Sequence, residues 1–391
     1  MKKKITIGLF IDAFFPMIDG VAMVVDNYAK RLVKYANVIV FAPSYEGKNF
    51  DDSVFNYKVV RCKSMDVSFL DYSLPRPKAD NKFKKALDEA NLDIVHIHSP
   101  ATLGMAGINY AKKHGIPVIG TMHSQYKLDF KRAVKFNFIT NFLTKRITKI
   151  YEKCDEVWTV NDEVARIFTS DYGYKGKPRV VYNATEMKPL SDKKKACDRI
   201  NDLHDLSSKE KVFLFVGRIN KLKNIFFIVD ALKILDNNGF DFKMFFVGSG
   251  QDEDELKNYI SLNGLDDKII LCGRVTDRTL LASYYARADL FLFPSLYDCN
   301  AIVQLEAASQ KTPTLFLKGA ATTSLVKNNV NGFLADNDSE KYAEKIIYIM
   351  NNKKLYDFVC DNAYRDLYKN WDDVTEDVYN LYLDFINGKE N

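Results

Sequence analysis

Residues 289–319 read DLFLFPSLYDCNAIVQLEAASQKTPTLFLKG. An apolar run at 289–295 leads through a loop into a helix-like segment holding Glu306, and a second apolar run follows at 312–319. Two buried-type strands joined through a helix form a parallel pair, because an antiparallel pair needs only a tight turn. The alternation extends outward. Just upstream lie KVFLFVGR (211–218), KMFFVGSG (243–250) and KIILCGR (268–274). Earlier still come ITIGLFI (5–11), VIVFAP (38–43), DIVHIH (93–98), PVIGTMH (117–123), EVWTV (156–160) and RVVYN (179–183), with helix-period segments between several of them. This pattern predicts an α/β protein with doubly wound parallel sheets.

The length of 391 residues suggests roughly two to three domains of about 150 residues each. The stretch near 184–210 is rich in Lys, Asp and Ser and poor in large apolar residues, so it reads as a connection. The expected division is a first Rossmann-like domain over 1–185, a linker over 186–210 and a second Rossmann-like domain over 211–368. A last segment, 369–391, is expected to return as an amphipathic helix to the first domain. A cleft between the two domains is expected to hold the ligands.

Composition excludes several classes. Hydrophobic residues make up 47% of the chain and charged residues 27%, a globular profile that rules out a fibrous or wholly disordered protein. The six cysteines are scattered without a CxxC pair, which fits a reducing compartment better than a disulfide framework or a zinc site. The amino-terminal apolar run is interrupted by Asp12 and reads as a first strand rather than a signal peptide. No run approaches the length needed to span a bilayer. A cytoplasmic protein is expected, soluble or peripheral on the inner face of the cell membrane.

The net charge of +5 conceals a split. Residues 1–190 carry 30 Lys and Arg against 20 Asp and Glu, so the remainder is net acidic. The first half is thus expected to face something anionic: nucleic acid, phospholipid or an acidic substrate. Positive charge concentrates in 127–153, KLDFKRAVKFNFITNFLTKRITKIYEK, where an apolar stripe runs through Phe130, Val134, Phe138, Phe142, Leu143, Ile147 and Ile150. One basic amphipathic helix is predicted there. It would either lie on an anionic membrane through Lys131, Arg132, Lys145 and Arg146 or present a solvated lysine face. No nucleic-acid module is recognisable around it, so nucleic acid is not an expected partner.

Ligands of open parallel sheets bind beyond the carboxyl ends of the strands. Gly20 follows the first strand and precedes a helical pattern, allowing backbone approach to a phosphate or sugar. His96, His98 and His123 end neighbouring strand signals; a neutral hydrogen-bonding role fits them better than metal ligation. Arg218 and Lys223 follow another strand, where two cations suit a diphosphate. Gly248 lies in VGSGQDEDEL, whose acids make a structural or nucleoside-adjacent turn more plausible than a phosphate cradle. Asp298 and Glu306 flank a strand-to-helix turn and can accept hydroxyl hydrogen bonds, while backbone N–H groups around Ala301, Ile302 and Val303 can meet a phosphate. No DxD follows a strand, so no metal is implied.

Taken in order, PMIDGVAMVV, DIVHIHSPATLGMAGINYAKKHGIPVIGTMHSQY, VGRINKLKN, VGSG, GRV, ARADLFLFPS, the D-x7-E segment and NNVNGFL resemble the retaining family 4 glycosyltransferases of GT-B fold across nearly the whole chain. The turn around Gly20, HIHSPATLG and MHSQY look most like the bacterial diacylglycerol glucosyltransferase branch. The resemblance implies transfer of a hexose from a nucleotide-sugar, expected to be a UDP-sugar, with retention of configuration and with neither metal nor cofactor. The expected acceptor is a lipid or lipid-linked cell-envelope molecule; capsular or soluble acceptors, or a non-catalytic nucleotide-sugar-binding subunit, are the alternatives. It further implies that Glu306 holds the donor ribose, Arg218 and Lys223 neutralise the diphosphate, Asp298 touches the donor sugar, and His123 sits beside the reacting sugar. His98, Gly20, Gly248 and Ala301 to Val303 complete the expected substrate contacts. Two departures stand out: the family usually has Glu at Asp298 and Gly at Ala301.

Overall fold

The computed structural model describes residues 4–17, 19–47, 50–66, 73–134 and 136–389. The chain divides into two compact units, Met1–Asn183 with Trp371–Asn391, and Ala184–Asn370.

In the first unit β1 (Thr6–Phe10), β2 (Asn37–Pro43) and β3 (Lys58–Cys62) are followed by a small antiparallel ribbon of β4 (Ser64–Asp66) and β5 (Ser73–Pro75). Then come β6 (Ile94–Ile97), β7 (Val118–Met122), β8 (Glu156–Thr159) and the two-residue β9 (Arg179–Val180). The main sheet is parallel, in the order β3-β2-β1-β6-β7-β8-β9. The second unit repeats the plan with β10 (Val212–Val216), β11 (Lys243–Val247), β12 (Ile269–Gly273), β13 (Leu290–Phe293), β14 (Thr314–Leu317) and β15 (Phe333–Ala335). Its order is β12-β11-β10-β13-β14-β15, again all parallel. In each sheet the order reverses beside the first strand, at β1/β6 and at β10/β13. A doubly wound sheet opens a crevice at that point.

The uninterrupted apolar strands have a simple cause: helices cover both faces, so every position is interior. All five residues of β10 are buried. The helix Ile225–Asn237 buries Ile225, Ile228, Val229, Leu232 and Leu235, a three-and-four spacing that lays one stripe on the sheet.

Two expectations need correction. The stretch 186–210 is not a free linker: it belongs to the second unit and carries the helix Lys193–His204. That helix buries Ala196 and Ile200, and polar contacts also tie it to the helix Arg278–Arg287 and nearby residues. His204 bonds the Tyr284 hydroxyl at 2.7 Å, Arg287 bonds Asn201 at 2.6 Å, and Cys197 reaches the Ala286 carbonyl at 3.4 Å. Low apolar content therefore hid an integral helix.

The basic stretch is likewise not one helix but two, Tyr126–Ala133 and Asn137–Tyr151, separated where Val134 turns extended. The buried face of the second is Thr140, Thr144, Thr148 and Tyr151 rather than the phenylalanine stripe. Thr144 and Thr148 return their hydroxyls to carbonyls four residues back, at 2.8 and 3.0 Å, which satisfies those two on burial, whereas the Thr140 hydroxyl has no partner among the described residues. Phe136, Phe138 and Phe142 are instead 61%, 72% and 63% exposed.

The closing helix Trp371–Lys389 packs in the first unit, burying Trp371, Thr375, Val378 and Tyr382. No helix among the described residues is long and apolar enough to cross a membrane. All six cysteines are free.

Candidate functional site

The first unit brings its histidines together at the ends of adjacent strands. β6 and β7 pair in parallel, so His96, His98 and His123 arrive side by side. His96 is fully buried between the Tyr382 hydroxyl and Thr121 Oγ1, each 2.6 Å from a ring nitrogen. His98 Nδ1 lies 3.0 Å from His123 Nε2. Burial drives all three toward the neutral form: His96 and His98 fall well below the usual imidazole range, and His123 is pushed down to about 3. Of the expected ligand contacts here, His98 belongs to the interior: it is 1% exposed and its Nε2 has no hydrogen-bond partner among the described residues. His123 is 9% exposed and meets His98 through Nε2.

Asp12, just beyond β1, was missed as a site residue. Its carboxylate accepts from Thr102 Oγ1 and Leu103 N, both at 2.9 Å, and from Gly104 N at 3.4 Å. It thereby caps a helix, Thr102–His114, whose own N-cap residue, Ala101, has no side-chain cap bond. Ser99 Oγ in turn accepts the Asp12 N–H at 3.2 Å, stitching the loop after β1 to the loop after β6. Burial outweighs these hydrogen bonds and raises the Asp12 pKa to about 6. Gly20 begins the helix Gly20–Leu32, and open space surrounds it. The Asp19 carboxylate already accepts the Ala22 N–H at 2.7 Å there, which places negative charge where a phosphate was expected.

The second unit gathers charge. Lys223 closes a single turn, Lys221–Lys223, after β10, and its Nζ lies 2.5 Å from Asp298 Oδ1. Ser295 donates to the other Asp298 oxygen at 2.6 Å. Glu306, 5% exposed on the helix Ile302–Ser309, takes Arg278 Nη2 at 2.6 Å on one oxygen and the Tyr285 hydroxyl at 3.1 Å on the other. Ala301 is the N-cap of that helix and supplies no side-chain bond, so the first turn around Ile302 and Val303 carries no competing cap. Arg218 is exposed at the end of β10.

Gly248 is explained by packing. A Cβ there would sit 1.8 Å from the Gly217 carbonyl oxygen, and its φ of 146° suits only glycine. The loops after β10 and β11 touch backbone to backbone: Gly217 N donates to Val247 O at 3.0 Å and Ile219 N to Ser249 O at 3.1 Å. Arg278, Tyr285 and Ser295 were not foreseen, because single polar residues at helix and loop positions carry no periodic signal. Among the described residues no group of three or more His, Cys, Asp or Glu is arranged to hold a metal ion.

The arrangement offers a neutral hydrogen-bonding corner in one unit and a corner of cations and carboxylates in the other. Known proteins resemble this chain in sequence and fold. Residues 18–188 match the family described as Glycosyltransferase Family 4, and residues 198–366 match Glycosyl transferases group 1. The alpha-monoglucosyldiacylglycerol synthase of Streptococcus pneumoniae is 26% identical over 84% of this chain and 74% of its own. That of Acholeplasma laidlawii is 25% identical over 91% of each. The solved structure of HepE from Anabaena in complex with UDP-glucose superposes with a TM-score of 0.73 at 16% identity, covering 96% of this chain and 98% of that one. At that identity the likeness speaks for the fold.

Proposed function

The chain belongs to the family 4 glycosyltransferases, built on the GT-B pattern of two parallel-sheet α/β domains, and from that premise we propose that it transfers a hexose from a UDP-sugar, with retention, to a lipid or lipid-linked acceptor at an anionic membrane. Two relatives are named for making a glucosyldiacylglycerol, which supports the acceptor class. The observation that carries the reading is the exposed face of Tyr126–Tyr151. Phe136, Phe138 and Phe142 stand out in solvent beside Lys131, Arg132, Lys145 and Arg146, all exposed. Aromatic side chains enter the interfacial layer while each nearby cation gains about 1 kcal/mol from anionic lipid. The expected working place is therefore the inner face of the cell membrane.

The donor is assigned to the second unit. Glu306 holds the ribose, and Arg218 with Lys223 meets the diphosphate, aided by the uncapped start of Ile302–Ser309. Lys223 and Asp298 form an ion pair. When Lys223 turns to the diphosphate, Asp298 becomes free to accept hydroxyls of the sugar. His123, neutral at working pH, orients the sugar through one ring nitrogen without adding charge. In a same-face displacement the glycosidic C–O bond to phosphate breaks as the acceptor oxygen bonds to the anomeric carbon, and the departing phosphate takes the acceptor proton. The protein then contributes position and charge stabilisation.

Incubation with UDP- and GDP-hexoses and anionic vesicles containing diacylglycerol or a lipid diphosphate, followed by mass spectrometry, tests this. A glycolipid made from a UDP-hexose is expected, with salt-sensitive flotation lost when Lys131, Arg132, Lys145 and Arg146 are neutralised. Transfer only to soluble sugars, without flotation, would replace the lipid acceptor by a soluble one.

A further inference from the structure

The helix Arg278–Arg287 sends two donors to one carboxylate. Arg278 and Tyr285 are seven residues apart, two helical turns, and so share a face. Arg278 Nη2 reaches Glu306 Oε1 at 2.6 Å and the Tyr285 hydroxyl reaches Oε2 at 3.1 Å. The three differ sharply in exposure: the Tyr285 residue is 0% exposed, while the side chains of Glu306 and Arg278 are 6% and 54% exposed.

A carboxylate has about four lone-pair positions, two on each oxygen. The two donors occupy one on each and leave one on each, which is the acceptor pair that a vicinal diol requires. A single donor would leave the carboxylate free to rotate about its last bond. Two donors, one per oxygen, fix its plane. Tyr285 is buried and immovable, whereas Arg278 closes the pair from the solvent side.

We propose that Arg278 is a positioning residue for the nucleotide ribose, acting through Glu306 by locking the carboxylate so that its remaining lone pairs face the 2′- and 3′-hydroxyls. The inference rests on the reading of Glu306 as the ribose ligand. A pair that served only to join two helices would leave ribose recognition untouched.

The test is calorimetric binding of UDP and 2′-deoxy-UDP to the full chain and to its Arg278→Ala, Arg278→Lys and Glu306→Gln variants. Wild type is expected to prefer UDP by about tenfold, the scale of one hydrogen bond to a charged group. Arg278→Ala should weaken UDP by about tenfold while barely changing 2′-deoxy-UDP, so that the preference collapses; Arg278→Lys should restore part of it. In turnover the loss should appear in donor KM with kcat held within about twofold. Equal weakening of both nucleotides by Arg278→Ala would mean direct contact or general disorder and would overturn the proposal, as would an unchanged preference. Glu306→Gln separates the two levels. If it too leaves the preference intact, the ribose assignment itself fails; if it abolishes the preference while Arg278→Ala does not, only the role of Arg278 fails.

Discussion

At the carboxyl end of the first sheet, His96, His98 and His123 are at most 9% exposed and are held neutral by burial. At the same end of the second sheet, Lys223 and Asp298 stand 2.5 Å apart, and Arg278 and Glu306 stand 2.6 Å apart. The net charges run the other way: residues 1–190 are basic overall and the remainder acidic. Net charge thus describes the outer surface of each half, and the interior chemistry is set independently. The first half exposes Lys131, Arg132, Lys145 and Arg146 on its surface and buries its histidine cluster. The second half is acidic overall yet sets Lys223 and Arg278 against Asp298 and Glu306. A neutral hydroxyl needs oriented hydrogen bonds, whereas a diphosphate needs countercharge, and on the proposed function the two corners would divide along that line.

The sharpest way to break the contrast is Lys223→Ala. If the charged corner stabilises a leaving diphosphate, kcat/KM for the donor should fall by about 10²- to 10³-fold. A loss below about threefold in steady-state assays would show that the charge there is only structural.

Asp12 probes the exception, an acid within the neutral corner. Its pKa rises from 3.8 to about 6 through burial, so the folded state favours the protonated form. The stability this gives is present below about pH 4 and lost as pH rises to about 6, amounting to about 3 kcal/mol. The neutral histidines act oppositely, losing stability as pH falls below their ordinary range, so the comparison must be with Asp12→Asn. The difference in unfolding free energy between the two proteins should follow that window in urea titrations. Both tryptophans, Trp158 and Trp371, are buried in the first unit, so their fluorescence reports that unit.

Tyr382→Phe is expected to cost about 1–3 kcal/mol in the same assay, because it strands a buried ring nitrogen of His96. No change would mean that this bond adds nothing to the apolar packing and the Asp372 ion pairs that also hold the closing helix. The smallest expected effect is none at all: the ring resonances of His96, His98 and His123 should stay constant from pH 8 to 5 by NMR. Titration of His123 near 6.5 would end its description as a neutral ligand.

Much of the fold was legible because it is written in local pattern. Strand runs ending in VGR, VGSG and FPS mark the sheet ends, and the glycine at 248 read as a tight turn without revealing how closely it approaches Gly217. Two local readings failed for the same reason. The segment 186–210 looked like a connection because its apolar residues are few, although Met187, Ile200 and Leu206 enter the core of the second unit and hydrogen bonds add to their hold. The stretch 127–153 read as one amphipathic helix with a phenylalanine stripe, but it is two helices, and in the second Thr140, Thr144, Thr148 and Tyr151 took the interior. Periodicity identifies a helix face without telling which side the rest of the chain will cover.

The sequence by itself determined the α/β alternation, the two sheets and the residues standing where strands end, since these follow from backbone periodicity and the burial of apolar runs. Only the tertiary structure decided which polar groups meet: Arg278 with Glu306 across 28 positions, Lys223 with Asp298 across 75, and His96 with Tyr382 across 286. Such partnerships depend on where the chain crosses itself. A lone arginine or tyrosine bears no mark of its partner until packing brings the two within hydrogen-bond reach.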